Sequence, residues 1–174
     1  MIHGKKVQIR LLEASDLEQI AKWRNQSRVA KWFFNAMPFA LSEQERWYQG
    51  YLNDPAQRMF IVENLEGGPI GTLALVNIDQ RNQSAELGRI VIGEDDYLGN
   101  GFCGDAIRAL LRFSFNEMNL NRVYAEVLGD NDTALALYER CGFKREGIKR
   151  NAIFKAGMFQ NISIVAVLRE EYFD

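Results

Sequence analysis

The spacing of apolar residues divides the chain into short strands and helices. Val7 to Leu11 alternates apolar and polar positions, which predicts a strand with one buried face. Leu17 to Asn25 has apolar residues at helical spacing behind a Ser-Asp cap, and Ser42 to Glu45 has the pattern of a capping box that opens a second helix. Between these helices, Val29 to Phe39 is aromatic and irregular, which predicts a loop.

The rest of the chain is dominated by strand-like runs. Further strands are predicted over Met59–Glu63, Ile70–Ile78, Ala85–Ile92, Arg122–Leu128, Phe143–Phe154 and Phe159–Leu168. Further helices are predicted over Cys103–Met118 and Thr133–Cys141. The order β-α-α-β-β-β-α-β-α-β-β predicts an α+β fold, with a mixed, mostly antiparallel sheet flanked by about four helices.

Composition limits the functional classes. The 174 residues are 47% hydrophobic, which suits one compact domain over residues 1–174. The 21 basic and 23 acidic residues leave a net charge of −2, so nucleic acid is not expected as a partner. No apolar run approaches the roughly 20 residues of a membrane span, and the start of the chain lacks a signal-peptide apolar segment. A cytoplasmic protein without a membrane partner is therefore expected.

Cysteine and histidine content argues against metal chemistry. Cys103 and Cys141 have no metal-ligand spacing, and His3 is the one histidine. A metal site and a histidine-based catalytic triad are therefore not expected. Two free thiols fit a cytoplasmic protein.

A glycine-dense turn ahead of the helix Cys103–Met118 is the candidate binding site. Its residues are Tyr97-Leu98-Gly99-Asn100-Gly101-Phe102-Cys103-Gly104. Backbone N–H groups at a helix N-terminus, with the partial positive charge found there, suit a phosphate or pyrophosphate. A plain strand-to-helix turn is the alternative, although three glycines in six residues exceed what such a turn needs.

The glycines also match the dinucleotide-binding pattern G-x-G-x-x-G, but the context does not fit. That pattern should follow its strand directly and be followed by an acidic residue at the end of the next strand. Here residues 93–98 intervene, and Glu126, at about the right distance, lies inside an apolar run. The remainder of the chain is also too short for a doubly wound sheet, so a dinucleotide oxidoreductase is disfavoured.

The order of elements, together with this turn, resembles the GNAT superfamily of acetyl-CoA-dependent N-acetyltransferases. The family motif Gln/Arg-x-x-Gly-x-Gly/Ala is matched by Leu98 to Cys103. A second family signature, an asparagine ahead of a short helix that ends Tyr-Glu-x-x-Gly-Phe, is matched by Asn131 and by Tyr138 to Phe143. Glu146-Gly147 and Leu168 to Tyr172 resemble the branch that includes ribosomal-protein alanine, spermidine and nucleotide-aminosugar acetyltransferases.

The resemblance covers essentially the whole chain and implies a GNAT-like fold with acetyl-CoA as cosubstrate. It implies transfer of the acetyl group to a primary amine of a small molecule or peptide, by direct attack in a ternary complex. In the family the cofactor arm lies between two strands that splay apart. The cofactor-binding residues so implied are Ile90, Val91, Ile92, Leu98, Gly99, Asn100, Gly101, Phe102, Cys103, Gly104 and Asn131.

Several of these roles have a simpler alternative. Tyr138 matches the family tyrosine that protonates the leaving thiolate, and its alternative role is packing beside Phe143. Glu126 matches a glutamate that acts as a base through water in several relatives, and Glu86 is its rival. Each carboxylate could instead be solvated or paired, and Asn131 could serve only as a helix cap.

Two departures from the family motif predict weaker cofactor binding. Leu98 stands where glutamine or arginine is usual, and Cys103 stands where glycine or alanine is usual, close to the expected pyrophosphate. Backbone donors survive both changes. A catalytically silent acyl-CoA-binding module is therefore kept as the alternative to an enzyme.

The aromatic loop offers candidate substrate-binding residues: Trp32, Phe33 and Asn35. The loop could instead be a hydrophobic lid over the core. Its segment Trp32 to Ala36 has no acids, which weakens a polyamine as acceptor and fits an aminosugar or a peptide amine better. A homodimer is one assembly compatible with the sequence.

Overall fold

The computed structural model of the chain describes residues 1–35, 38 and 40–172. Ala36, Met37, Phe39, Phe173 and Asp174 lie outside the described residues. The parts of the predicted aromatic loop that fall on Ala36 and Phe39 are therefore not assessed.

Within the described residues the chain forms eight strands and five helices. The strands are β1 (Ile2–His3), β2 (Val7–Leu11), β3 (Arg58–Asn64), β4 (Pro69–Asp79), β5 (Ser84–Ile92), β6 (Arg122–Leu128), β7 (Lys144–Lys155) and β8 (Met158–Leu168). The helices are α1 (Leu17–Arg24), α2 (Ser27–Ala30), α3 (Leu41–Tyr51), α4 (Phe102–Asn116) and α5 (Asp132–Arg140). Among these helices, none has both the length and the apolar content that crossing a bilayer requires.

All these strands form one sheet, in the order β1-β2-β3-β4-β5-β6-β8-β7. Every neighbouring pair is antiparallel except β5 and β6, which are parallel. The predicted α+β fold with a mixed, mostly antiparallel sheet is confirmed. The sequence did not predict β1 or α2, because two residues and a single helical turn are too short for apolar periodicity to appear.

Each face of the sheet carries its own core. On one side, α4 and α5 bury residues such as Leu110 and Leu135 against the sheet; we call this the α4 face. On the other, α1 and α3 bury residues such as Trp23 and Tyr48; we call this the α1 face. Strand β5 contributes Leu87 to the α4 face and Val91 to the α1 face.

Strands β5 and β6 are paired over three residues of each strand and then separate. Their ladder consists of the pairs Ser84–Arg122, Ala85–Val123 and Glu86–Tyr124, although β5 continues to Ile92 and β6 to Leu128. A gap therefore opens between the two strands beyond Glu86. This is the separation of strands that the family resemblance implies.

A β-bulge accompanies the opening. Thr72 of β4 pairs with Val91 and Ala74 pairs with Gly88, so two residues of β5 oppose one residue of β4. The first of them, Arg89, has a φ of 52°, and its carbonyl accepts a hydrogen bond from Thr72 Oγ1 at 2.9 Å. Because a bulge bends and twists its strand, it accounts for β5 turning away from β6.

The predicted cap of the second helix is wrong by two residues. Helix α3 begins at Leu41 after Ala40, so Ser42 lies inside the first turn instead of capping it. The Glu43 carboxylate accepts a hydrogen bond from the Ala40 N–H at 3.1 Å. The glutamate half of a capping box is thus present without a serine or threonine cap.

Candidate active site

Glu86 lies where the gap between β5 and β6 opens. Its side chain is half-buried on the α1 face, and Oε2 accepts a hydrogen bond from Asn77 Nδ2 at 2.8 Å. Burial raises the pKa of Glu86 above its usual range, and the nearby negative charge of Glu126 raises it further against the opposing effect of the Asn77 hydrogen bond. A carboxyl with a raised pKa at a cleft is a candidate general base.

Glu126, the other candidate base, is already paired. It lies on β6 and shares the α1 face with Tyr124, as strand alternation predicts. Its Oε1 contacts Lys149 Nζ of β7 in an ion pair. The structure therefore brings both predicted carboxylates together, but only Glu126 is engaged by a cation at contact distance.

Tyr138 lies on α5, buried against the α4 face. Its ring meets the Phe143 ring edge-on, with centroids 4.9 Å apart and an interplanar angle of 67°. Burial raises the pKa of the Tyr138 phenol well above its usual value, and the charges of Cys103 and Glu86 add to the effect. The packing role is thus present, and the same phenol is electrostatically coupled to Glu86.

The glycine turn forms an open surface of backbone at the start of α4. Gly99 has a φ of 72° and Gly101 a φ of 84°, a region that favours glycine. A Cβ placed on Gly99 would meet no atom within 4 Å, and on Gly101 the nearest atom would be Lys6 Nζ at 3.8 Å. Gly101 is the N-cap of α4 and no side chain caps the helix. The first-turn N–H groups and the open surface fit a phosphate-bearing ligand.

Two further residues of the turn, Gly104 and Cys103, pack against the protein interior and do not add to this open surface. A Cβ on Gly104 would lie 3.3 Å from Arg108 Nη1 and 3.4 Å from Leu137 Cδ1, so this glycine serves the packing of α4 on α5. Cys103 packs against the core of the α4 face, where burial raises the pKa of its thiol to about 12 with a further contribution from Cys141. The position of this side chain does not support the expected crowding of a phosphate by Cys103.

Lys6 contacts the glycine turn, although no pattern in the sequence indicates it. Its Nζ donates a hydrogen bond to the Asn100 carbonyl at 2.9 Å and lies 5.5 Å from the centroid of the Phe102 ring. The Lys6 backbone N–H donates to Asp105 Oδ2 at 2.7 Å, which ties the start of β2 to the first turns of α4. Lys6 and Asn100 are 94 positions apart, so no local pattern could have linked them.

The backbone positions expected to bind pantetheine lie within the bulge of β5 or directly after it. Val91 pairs with Thr72 of β4, while Ile90 falls within the bulge. The Ile92 carbonyl accepts a hydrogen bond from Arg28 Nη1 at 3.0 Å, which a ligand at this carbonyl would have to share or replace.

Asn131 has the structural role that the sequence offered as its alternative. Its Oδ1 accepts a hydrogen bond from the Ala134 N–H at 3.1 Å, so it caps α5. Leu98, at the position usually held by glutamine or arginine, is 42% exposed and supplies no polar group.

Of the three predicted substrate-binding residues, Phe33 packs against the core of the α1 face. The guanidinium carbon of Arg24 lies 3.5 Å from the centroid of its ring. Lys155, at the turn between β7 and β8, donates hydrogen bonds to the carbonyls of Lys31 and Phe33 and so anchors the loop. Trp32 is 37% exposed and Asn35 is also exposed.

A mixed sheet that opens between two parallel strands, beside an uncapped glycine turn, agrees with the acetyl-CoA-dependent acetyltransferases that the sequence resembles. Comparison with known proteins gives the same class. Residues 6–144 match the family described as the acetyltransferase (GNAT) domain. The chain therefore belongs to the GNAT family; it is an N-acetyltransferase whose cosubstrate is acetyl-CoA.

Similar proteins share nearly the full length of the chain. Spermidine N(1)-acetyltransferase of Vibrio cholerae is 31% identical, over 97% of this chain and 96% of that protein. A putative ribosomal N-acetyltransferase of Bacillus subtilis, YdaF, is 31% identical over 97% of this chain and 94% of its own. The crystal structure of the Vibrio cholerae enzyme with CoA and spermine superposes with a TM-score of 0.89, covering 97% of this chain and 99% of that one.

Proposed function

We propose that the chain transfers the acetyl group of acetyl-CoA to a primary amine by direct attack within a ternary complex. The observation that carries the proposal is the opening between β5 and β6, with Glu86 on one face of the sheet and Tyr138 on the other. A new N–C bond forms as the C–S bond of the thioester breaks. One side chain accepts the proton that the amine loses, and the other donates a proton to the departing sulfur.

Glu86 is the proposed base, acting directly or through one water. An ionised base must accept a proton near neutral pH, and burial raises the pKa of Glu86 toward that range. Glu126 is less suited because its carboxylate is already engaged in an ion pair with Lys149. Its negative charge still contributes, by raising the pKa of Glu86.

Tyr138 is the proposed acid. Burial keeps its proton in place at neutral pH, so the phenol can donate to the sulfur as negative charge develops there. The contact with Phe143 fixes the ring, which holds the hydroxyl in one position.

The proposed binding site for the phosphates of acetyl-CoA is the glycine turn together with Lys6. Gly99 and Gly101 supply open backbone, and the first turn of α4 supplies N–H donors. Lys6 supplies the polar, charged group that the apolar side chain of Leu98 does not provide. Asp105 positions Lys6 by accepting a hydrogen bond from its backbone N–H.

A single domain in the cytoplasm completes the proposal. One continuous sheet from β1 to β8 supports one domain over residues 1–174. Cys103 and Cys141 are both free thiols, which suits a reducing compartment.

The deciding experiment is a turnover screen with acetyl-CoA across polyamines, aminosugar nucleotides, peptide N-termini and aminoglycosides. Release of free CoA with an acetylated amine, identified by mass spectrometry, is the expected result for at least one class. Binding of acetyl-CoA without acetylation of any amine would contradict the proposal and identify a silent acyl-CoA-binding module instead.

A further inference from the structure

A second β-bulge lies beside Glu86, the proposed base, on the neighbouring strand β4. The pairs Val76–Glu86 and Asp79–Ser84 enclose two residues of β4 but only one residue of β5. The first of the two β4 residues is Asn77, whose φ of 51° lies in the left-handed region. The regular alternation of β4 is therefore interrupted at Asn77, next to the residue that pairs with Glu86.

The bulge turns the Asn77 side chain toward Glu86. Side chains alternate along a regular strand, so Asn77 would otherwise face away from Val76, which packs on the α1 face. Instead, Asn77 Nδ2 donates a hydrogen bond to Glu86 Oε2 at 2.8 Å. Bulges redirect side chains in this way and are common beside active sites. Within the part of the chain that the structure describes, Asn77 is the one hydrogen-bond donor to the Glu86 carboxylate.

The other oxygen of this carboxylate, Oε1, faces a small open space above Gly88. Gly88 pairs with Ala74, which belongs to the core of the α1 face, and paired antiparallel positions share a face of the sheet. A Cβ built on Gly88 would come within 4 Å of a single atom, Glu86 Oε1, at 3.8 Å. Among the described residues there is thus room beside Oε1 for a group the size of a methyl, which is also the size of an amine nitrogen or a water.

The two oxygens of Glu86 therefore have different surroundings. Resting on the proposed function, we infer that Asn77 is a positioning residue: its amide holds Oε2, so that Oε1 faces the space above Gly88 and accepts the proton of the amine there, directly or through one water. The N–H bond of the amine breaks, the proton goes to Oε1, and the electron pair stays on nitrogen for attack on the thioester carbonyl. Asn77 itself exchanges no proton. A carboxylate held by one oxygen keeps the other in a constant position, as general-base catalysis requires.

The local backbone offers a simpler explanation of Asn77, and the choice of variants separates the two. Asparagine is one of the residues that tolerate left-handed backbone, so the bulge alone could account for it. Glycine tolerates the same backbone and carries no donor, so Asn77→Gly keeps the bulge and removes the hydrogen bond. Asn77→Asp also suits the bulge and places a second carboxylate where the donor was.

Loss of the Asn77 donor should move the acidic limb of the pH–kcat/KM profile to higher pH. The amide N–H stabilises the ionised carboxylate and so lowers the pKa of Glu86, against the larger effect of burial, which raises it. Without this donor the base is ionised only at higher pH. On the acidic limb, kcat/KM should therefore fall about threefold or more in Asn77→Gly, and further in Asn77→Asp. Both variants leave unchanged the other ionisable groups that interact with Glu86: Arg89, Tyr124, Glu126, Tyr138 and Lys149.

Asn119→Gly is the matched control, at another left-handed asparagine. Asn119 has a φ of 55° and lies between α4 and β6, where its Oδ1 accepts a hydrogen bond from Arg169 Nη2 at 3.0 Å. Its acidic limb should coincide with that of the wild type. An acidic limb of Asn77→Gly that coincides with the wild type would show that Asn77 serves only the backbone, and would overturn the inference. An equal displacement in Asn119→Gly would indicate a general disturbance and would also overturn it.

Filling the space above Gly88 tests whether Oε1 is the oxygen that meets the amine. Gly88→Leu should raise the KM of the amine preferred in the turnover screen about tenfold or more and leave the Kd of CoA, measured by calorimetry, unchanged. An unchanged KM for the amine would overturn the placement of the amine beside Oε1. An equal loss of CoA affinity would assign the space to the cofactor and overturn the same placement.

A titration that needs no turnover separates this inference from the proposed function. In protein labelled with ¹³C-glutamate, the carboxyl signal of Glu86 is assigned by its loss in Glu86→Gln and followed by NMR against pH. A higher pKa of Glu86 in Asn77→Gly than in the wild type supports the positioning role even if no amine is acetylated. The same pKa in both proteins overturns that role even if the protein proves to be an active acetyltransferase.

Discussion

Replacing Lys6 by glutamine tests whether a side chain from the start of β2 supplies the charge that Leu98 lacks. The substitution removes the ammonium group and keeps a polar side chain of similar length. The position of residue 6 should persist, because Asp105 holds its backbone N–H and that of Val7 at 2.7 and 3.2 Å. Loss of CoA affinity would therefore report the missing charge and not a displaced strand.

The expected magnitude follows from the position of Nζ. It lies 3.8 Å from where a Cβ on Gly101 would be, and the magnitude is worked for a phosphate placed about 4 Å from Nζ. Two unit charges at that separation attract by about 4 kcal/mol at an effective dielectric constant of ~20. Exposed pairs retain about 0.2–1 kcal/mol in measurements, because water and salt screen them. A diphosphate carries two charges, so we expect a loss of about 0.4–2 kcal/mol, or about 2- to 30-fold in Kd.

Isothermal titration calorimetry with CoA and with pantetheine measures this directly. Lys6→Gln should weaken CoA binding by the stated factor and leave pantetheine, which has no phosphate, unaffected. The difference between wild type and variant should shrink as salt is added, because the interaction is between exposed charges. Lys5→Gln is the matched control, since Lys5 is the adjacent exposed lysine.

Three results would refute the reasoning. A CoA Kd for Lys6→Gln within twofold of wild type would show that the ammonium does not reach the phosphates. An equal loss for pantetheine would indicate a general disturbance of the site. An equal loss in Lys5→Gln would show that only the overall charge of the chain matters.

Three other substitutions address the remaining roles. Tyr138→Phe should lower kcat about 10²–10⁴-fold in steady-state assays with little change in the acetyl-CoA KM, because the ring still packs on Phe143; wild-type kcat with chemistry rate-limiting would leave only packing. Glu86→Gln should abolish the acidic limb of the pH–kcat/KM profile, which should lie above the usual carboxyl range because burial raises the pKa of Glu86. Glu126→Gln should keep this acidic limb. Measuring the profile with two amines of different pKa excludes deprotonation of the substrate as the source of the limb. Gly101→Val should raise the CoA Kd at least about tenfold by calorimetry, because a φ of 84° disfavours a branched side chain; unchanged affinity in a folded variant would remove the turn from the cofactor site.

The periodicity of apolar residues predicts most of the strands and helices and the face that carries the two candidate bases. Alternation along β5 and β6 places Glu86 and Glu126 on one face, and the structure agrees. The turn at Gly99 and Gly101 stands out because left-handed backbone requires glycine, which is visible as composition. These features are local, so a sequence carries them directly.

What distinguishes the site residues from one another depends on contacts between distant segments. The pairing of Glu126 with Lys149 of β7 is the reason we propose Glu86 as the base, and no spacing in the chain indicates this pairing. Lys6 reaches the glycine turn only because β2 docks on α4 through Asp105. Sequence patterns limited the candidates to a few residues, and tertiary packing separates them.

The bulge at Arg89 shapes both the opening between β5 and β6 and the face of the sheet that carries Glu86. Its φ of 52° is unusual for a residue with a long side chain, and no alternation or turn motif predicts it. By bending β5 away from β6 it opens the space that the family uses for the cofactor arm. The same extra residue interrupts the alternation of β5, so that the guanidinium of Arg89 contacts the Trp47 ring on the α1 face, three positions after Glu86. The bulge that opens the cleft therefore also sets which side chains of β5 share a face with Glu86, the proposed base.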